Sequence, residues 1–331
     1  MVYPSILFLS TPFQSNADAH AIGHRVGQQS GDNRCAFLNM WMVHTTSYIA
    51  GKCLNDCRTN FRKAAMEGMR RKVSFFHHIC LFHVQVCALI EGLHLVDAEN
   101  IDDLPGEQKT AALTKGVFTG GHVHWIVRTF LFRHFEGISV DTKLISDMKD
   151  PLKIIIMFGL LFEGLLSFEL ARRAKDQDAL IWMAKGESVL EKMKCWNKNC
   201  SWNFENKMLL LEAERSSIMG DFDQAESSYI RSVRSARDHK FVHEEAIASE
   251  LAGIFFLDRG RHPKSYLFSM HSVECYKKWG ALAVARRVED TIRHNFGTDT
   301  FFVELPAIVD SLTSVLSFEQ LSSRKRQTEG K

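Results

Sequence analysis

The sequence predicts an all-α fold in which helical hairpins stack into an α-solenoid behind an irregular N-terminal segment. The stretch 206–280 carries this prediction, because a helix, a glycine turn and a second helix occur there twice in succession. The turn glycines, Gly220 and Gly260, lie 40 residues apart, a spacing typical of stacked helical repeats. Six prolines among 331 residues also favour long helices over turns and strands.

Four amphipathic runs surround the two glycines: Lys207–Met219, Phe222–Arg237, Glu244–Leu257 and Lys264–Lys278. A glycine just past a helix end adopts the left-handed backbone conformation that lets the next helix fold back. In the second run, Phe222, Ala225, Tyr229 and Val233 recur at helical spacing and predict one buried stripe. A further helix at the same period is predicted from Ala281 to about Phe296.

The second hairpin combines a small face with a bulky one. The small face comprises Ala246, Ser249, Gly253 and Phe256. The bulky face comprises Tyr266, Met270, Val273 and Tyr276. Small side chains let two helices approach closely, so the first face is expected to pack against the second.

Three segments carry a resemblance to a known class of protein: Gly220–Glu226, Phe241–Gly253 and Tyr276–Ala281. They resemble the tetratricopeptide-like region of very large multidomain signalling ATPases and sensor kinases, best over residues 207–290. The resemblance implies helical repeats that follow a kinase-like domain and a nucleotide-binding ATPase and that precede sensor, histidine kinase or cyclase modules.

The match to the general tetratricopeptide pattern has three departures. His262, Ser265 and Ser269 stand where that pattern prefers an aromatic residue, alanine and a second aromatic residue. The positions predicted to build the turns and the packing of the repeats are Ala213, Gly220, Phe222, Ala225, Tyr229, Gly253, Gly260 and Tyr276.

The rest of the chain divides by its periodicity. Residues 1–57 show no clear period and are predicted to be irregular, 58–150 to be a helical region that accommodates degenerate repeats, and 151–296 to be the repeats. A C-terminal helix is predicted within 297–321 and a disordered tail over 322–331. The helices expected upstream of residue 200 are Asn60–Leu95, Gly121–Phe135, Val140–Met148, one from Asp150 to Arg173, and Asp178–Lys194.

Composition and charge restrict the partners and the cellular compartment that the sequence predicts. Lys and Arg total 41 and Asp and Glu total 39, so no overall basic field favours nucleic acid. Eight scattered cysteines and a start without signal-peptide features predict a reduced, cytoplasmic protein. The apolar run Ile154–Phe162 meets Glu163 well before the roughly 20 residues that cross a bilayer, so no membrane partner is expected.

The leading functional hypothesis is a non-catalytic scaffold that binds a protein or peptide, or another domain, in signal transduction. Phosphate-binding loops, the zinc-protease helix and the serine-nucleophile elbow have no match in the sequence. No enzyme activity, cofactor, catalytic residue or cofactor-binding residue is therefore predicted. In a solenoid each hairpin contacts only its neighbours, and the inner helices line a concave binding face.

Two alternatives stay open beside the scaffold. The chain could be a fragment of a multidomain signalling ATPase or kinase whose catalytic domains lie outside these residues. It could instead bind a metal through a helix with His77, Cys80, His83 and Cys87, in which Cys80, His83 and Cys87 are the candidate ligands at i, i+3 and i+7. The competing interpretation is that these residues belong to the buried face of a helix, where cysteine and histidine are also common.

The junction between the two hairpins holds a further titratable group of residues. His239, His243, Glu244 and Glu245 could be combined into an acid/base set. A simpler account is that both glutamates favour the positive end of a helix dipole, since they lie at a predicted helix start.

Overall fold

A computed structural model describes residues 9–93, 119–142 and 153–297, and these residues form helices and turns without a strand. The helices, in chain order, are α1 Phe13–Gln29, α2 Asn33–Ile49, α3 Leu54–Arg70, α4 Ser74–Glu91, α5 Thr119–Leu131, α6 Lys153–Arg173, α7 Asp176–Asn197, α8 Ser201–Met219, α9 Phe222–Asp238, α10 Val242–Asp258, α11 His262–Trp279 and α12 Leu282–Phe296. The predicted all-α class is confirmed for this part of the chain. The predicted helix within 297–321 and the tail over 322–331 lie outside it from residue 298 onward.

Helices that follow each other along the chain pack side by side. This holds for α1 with α2, for α3 with α4, and for each consecutive pair from α5 to α12. The helices α6, α8 and α10 also contact one another in turn, so they form one layer of the stack.

The turns between paired helices have simple chemical causes. Gly220 ends α8 with φ 82°, and Gly260 follows α10 with φ 67°, both in the left-handed region that favours glycine. Asp221 then starts α9, because its carboxylate accepts a hydrogen bond from the backbone nitrogen of Gln224 at 3.2 Å.

The predicted stripe of α9 is buried except at its first position. Ala225, Tyr229 and Val233 are buried, whereas Phe222 is 37% exposed. Phe222 is the first residue of α9 and lies beneath the guanidinium of Arg259, whose central carbon is 3.1 Å from the ring centroid. The prediction that Phe222 is buried is therefore wrong. Its ring lies at the surface, where the Arg259 guanidinium packs on it.

The packing of α10 on α11 differs from the expected fit of small residues against large ones. A Cβ atom on Gly253 would overlap Ser269 Oγ and lie 3.2 Å from the Ser269 backbone nitrogen. Ser265 Oγ also donates a hydrogen bond to the Gly253 carbonyl at 2.7 Å. At this crossing small residues face small ones, which accounts for serine at position 269, where the general pattern prefers an aromatic residue. At position 265 serine replaces the preferred alanine and adds a hydrogen bond to the Gly253 carbonyl. Met270, predicted on the bulky face, is exposed.

The prediction of an irregular segment over residues 1–57 is wrong from Phe13 to Ile49, where α1 and α2 form a hairpin, and again from Leu54, where α3 begins. The buried positions of α1 are Phe13, Asn16, His20 and Gly27, which share one helical face. Three of these four are not apolar residues, so a search for apolar periodicity misses the helix.

The first four helices fold back onto one edge of the later helices. The Phe13 ring packs edge-on against Phe204 and Phe241, with centroid distances of 6.4 and 6.3 Å. The Phe13 backbone nitrogen donates to Asn203 Oδ1 at 3.0 Å. Further along the same edge, α4 contacts α12. The expectation that each hairpin contacts only its neighbours is therefore wrong here.

One finding bears on the membrane. Within the described ranges, each helix is too short or too polar to cross a bilayer.

Candidate functional site

A groove of about 270 Å³ runs across the C-terminal parts of α6, α8, α10 and α12. Arg133, which follows α5, completes its wall. Since these helices belong to alternate positions in the stack, the groove lies on one face of several successive hairpins. The two features that define it are a floor of paired charges and an apolar wall on α10.

One half of the floor is centred on Glu250 of α10. Its carboxylate accepts hydrogen bonds from Arg133 at 2.7 Å, from Arg287 at 2.8 and 2.9 Å, and from the Tyr276 hydroxyl at 2.8 Å. Burial alone would raise the pKa of Glu250, but the two guanidinium groups hold the pKa at about 2. A second Arg133 nitrogen, Nε, also donates to Glu250 at 3.2 Å, so Glu250 is ionised at neutral pH and fixed by five donor contacts.

The other half of the floor is centred on Glu214 of α8. Its carboxylate accepts from the Arg172 guanidinium at 2.8 Å and from the Tyr229 hydroxyl at 2.5 Å. The negative charge of Glu214 raises the pKa of Arg172 above its ordinary value. Arg172 and Arg173 also donate to the two oxygens of Glu169, at 2.7 Å each.

The two halves follow the same plan, one hairpin apart. Each has a glutamate on the first helix of a hairpin, a tyrosine on the second helix, and an arginine from another helix, which is Arg172 of α6 in one half and Arg287 of α12 in the other. The sequence predicts Tyr229 and Tyr276 as packing positions, and that prediction does not include their hydroxyl contacts with glutamate. The two pairs differ in sequence separation, 15 residues for Glu214 with Tyr229 and 26 for Glu250 with Tyr276, so no repeated spacing marks them in the sequence.

The wall above this floor is apolar and open to solvent. Ile254 is 39% exposed, although it lies between buried residues on α10. Polar residues at the rim, Asp258, Thr291 and Asn295, are exposed. The arrangement offers apolar contact area together with guanidinium donors, which suits the binding of a peptide segment.

The metal candidates of the sequence analysis lie in the core of the N-terminal helices. Cys80, His83 and Cys87 are all buried on α4, but among the described residues their ligand atoms do not form a three-residue cluster. Positions seven residues apart on a helix are separated by about 10 Å along its axis, too far for one ion to bind both thiols. The spacing that placed them on one face therefore does not bring them to one point.

The local contacts of these residues have structural explanations. The His83 ring stacks on Phe61 at a centroid distance of 4.5 Å, and its Nδ1 lies 2.8 Å from the Ile79 carbonyl oxygen. Burial lowers the pKa of His83 to about 4 and raises the pKa of Cys80 to about 12, so both side chains are neutral at pH 7. His77 Nδ1 likewise lies 2.8 Å from the Ala65 carbonyl oxygen.

Of the hairpin-junction residues, His243 and Glu244 lie close together, with His243 Nε2 3.5 Å from Glu244 Oε1, whereas His239 lies apart from them. His243 is buried against Trp279, with a ring centroid distance of 5.3 Å, and burial lowers its pKa to about 4. Glu244 accepts a hydrogen bond from the buried Lys207 ammonium at 2.7 Å. His239 packs on Trp202 at the surface, so these residues do not form one acid/base set.

Three of the predicted scaffold positions, Ala213, Ala225 and Tyr276, are buried in the core between helices.

A comparison with protein families, curated proteins and solved structures finds no match for this chain.

Proposed function

We propose that this chain is a tetratricopeptide-like helical-repeat scaffold that binds a segment of a partner protein in the groove between α6 and α12. The observation that carries the proposal is the exposed apolar wall at Ile254 above a floor of fixed, paired charges. A ligand could cover Ile254 with little desolvation cost, because the charged groups of the floor are already paired with one another.

The chemistry of the groove defines the partner segment. Ile254 would contact an apolar anchor residue of the partner. Arg173 is exposed at the rim, where its guanidinium pairs with Glu169 and lies over the Phe135 ring at 4.8 Å from the centroid, so a partner carboxylate could compete for it. The ligand is therefore a peptide or helix with an apolar anchor and a nearby acidic side chain.

The resemblance of residues 207–290 to repeats in signalling ATPases and sensor kinases supports a cytoplasmic role in signal transduction. It also favours a second form of the same function, in which the segment bound in the groove belongs to another domain of a longer chain. Detection of the endogenous polypeptide with an antibody against residues 206–280 separates the two forms. A band at the size of 331 residues supports a separate adaptor, and a band several times larger supports the interdomain form.

The binding proposal is tested with a peptide library displayed on phage and selected on the immobilised chain. Hydrogen exchange is then measured with and without a selected peptide. The proposal predicts slower exchange in the C-terminal parts of α10 and α12 and unchanged exchange in α2 and α3. Failure to select any peptide that protects the groove would contradict it.

A further inference from the structure

A second cluster of reactive side chains lies where α9, α10 and α11 meet. Glu245 comes from the first turn of α10, and His271 and Cys275 lie one helical turn apart on α11. His271 Nε2 is 2.7 Å from Glu245 Oε1 and 3.4 Å from Cys275 Sγ. The three ligand atoms all lie within 4.8 Å of one another.

These distances approach those of a tetrahedral metal site. Zinc binds imidazole nitrogen at about 2.0–2.1 Å and thiolate sulfur at about 2.3 Å, which places the two donors about 3.6 Å apart. The observed separation between His271 and Cys275 is 3.4 Å, so this pair needs little adjustment. The Glu245 oxygen would move outward by roughly 0.6 Å to reach the nitrogen–oxygen separation of a tetrahedral ion.

The burial of the cluster is graded from the core to the surface. Cys275 is buried, whereas the side chains of Glu245 and His271 are 9% and 24% exposed. An ion could therefore enter beside His271 and meet the sulfur at the inner end.

We propose that Glu245, His271 and Cys275 form a binding site for a divalent metal ion of the zinc type, with a fourth position left for water. Nitrogen, sulfur and carboxylate oxygen together select zinc-type ions over magnesium or calcium. On binding, the Cys275 thiol releases its proton to solvent and the thiolate sulfur bonds to the metal. The site is independent of the groove and goes beyond the proposed scaffold function.

Arg237 of α9 would compete with a metal ion for this cluster. Its Nε donates to Glu245 Oε1 at 2.8 Å, and its Nη2 lies 3.0 Å from His271 Nε2. The Arg237 side chain is 39% exposed, so it can turn into solvent when an ion arrives. Arg237→Ala should therefore tighten metal binding, by roughly ten-fold or more, because it removes a positive charge from beside the ion.

The test is a titration of the purified full chain with Co²⁺, followed by displacement with Zn²⁺. The expected result is one equivalent of Co²⁺ with a thiolate-to-cobalt charge-transfer band and the visible bands of a tetrahedral ion, which Zn²⁺ removes. Arg237→Ala should shift the titration to lower Co²⁺ concentration. Glu245→Gln should lower the affinity for Co²⁺ but keep the thiolate-to-cobalt charge-transfer band.

Two cysteine variants control for adventitious binding. Cys275→Ser should abolish the charge-transfer band, whereas Cys195→Ser, which changes an exposed cysteine on α7, should leave it unchanged. Circular dichroism checks that each variant keeps its helices, and His271→Gln provides a second loss-of-ligand variant. The proposal is overturned if both the wild-type chain and Arg237→Ala show no such band, or if the band survives in Cys275→Ser and His271→Gln.

Discussion

At the scale of single residues, buried glutamates decide how the groove is held open. Glu250 neutralises two arginines from distant parts of the chain, Arg133 after α5 and Arg287 on α12. Arg133 in turn lies over the Phe130 ring, with its central carbon 4.8 Å from the centroid. Loss of the Glu250 charge would leave two guanidinium groups facing each other in a site with little water.

Glu250→Gln should therefore lower the free energy of unfolding by about 3–5 kcal/mol, the usual cost of removing one partner from a buried ion pair. Urea denaturation followed by circular dichroism measures the change. The matched control is Glu289→Gln, because Glu289 pairs with Lys277 at the surface and such a pair contributes about 1 kcal/mol or less. Equal, small effects of both variants would show that the Glu250 network does not stabilise the fold.

At the same scale, buried histidines are expected to make the stability of the folded chain depend on pH. His83 and His243 have an ordinary pKa of 6.5, and burial lowers the pKa of each to about 4 in the folded chain. Below pH 6.5 the unfolded chain therefore takes up protons that the folded chain does not. Stability should be fully present above about pH 6.5 and should fall towards pH 4, by about 1.4 kcal/mol per pH unit for each histidine.

The measurement is urea denaturation of the wild type and of His243→Phe at several pH values between 7 and 4. The variant keeps an aromatic ring against Trp279 but cannot take up a proton, so its stability should fall less steeply. An identical slope in both proteins would mean that His243 does not contribute to acid sensitivity.

At the scale of helices, the close approach of α10 and α11 depends on one glycine. Gly253→Ala should destabilise the chain by about 1–3 kcal/mol through overpacking, despite the better helix propensity of alanine. Ser269→Ala removes the nearest atom, so the double variant should recover part of the loss. Thermal unfolding of the four proteins measures this coupling, and simple additivity would contradict the proposed contact.

The helices also show what the sequence could and could not predict. The hairpins from α8 to α12 were predictable, because glycine turns and apolar stripes mark them locally. The helix α1 was not, because its buried face carries Asn16, His20 and Gly27. The floor of the groove could not be predicted for another reason. Arg133 and Glu250 are 117 residues apart, and a single sequence does not show such distant pairings.

At the scale of the whole molecule, the N-terminal helices are part of the same folded body as the repeats. Phe13 is buried between Phe204 and Phe241, so it joins α1 to the first turn of α8 and to the junction before α10. The α2–α3 turn approaches the same edge, where a side chain on Gly51 would overlap His243. An open stack of independent hairpins would have neither contact.

Phe13→Ala should cost about 3–5 kcal/mol, as expected for the loss of a fully buried phenylalanine. Because the contact joins distant parts of the chain, the loss should be seen with probes in both the N-terminal helices and the repeats. Hydrogen exchange resolved along the chain provides those probes. A change confined to α1 and α2 would show that the two parts unfold independently.

The central claim is that the groove recognises a peptide through Ile254, and the affinity of a library-selected peptide for two variants tests it most directly. Ile254→Arg changes the wall, whereas Leu180→Arg makes the same kind of change at a position on α7 that is 65% exposed and does not line the groove. We expect Ile254→Arg to weaken binding at least ten-fold and Leu180→Arg to leave the Kd unchanged. Equal affinities of the wild type and of Ile254→Arg would contradict it.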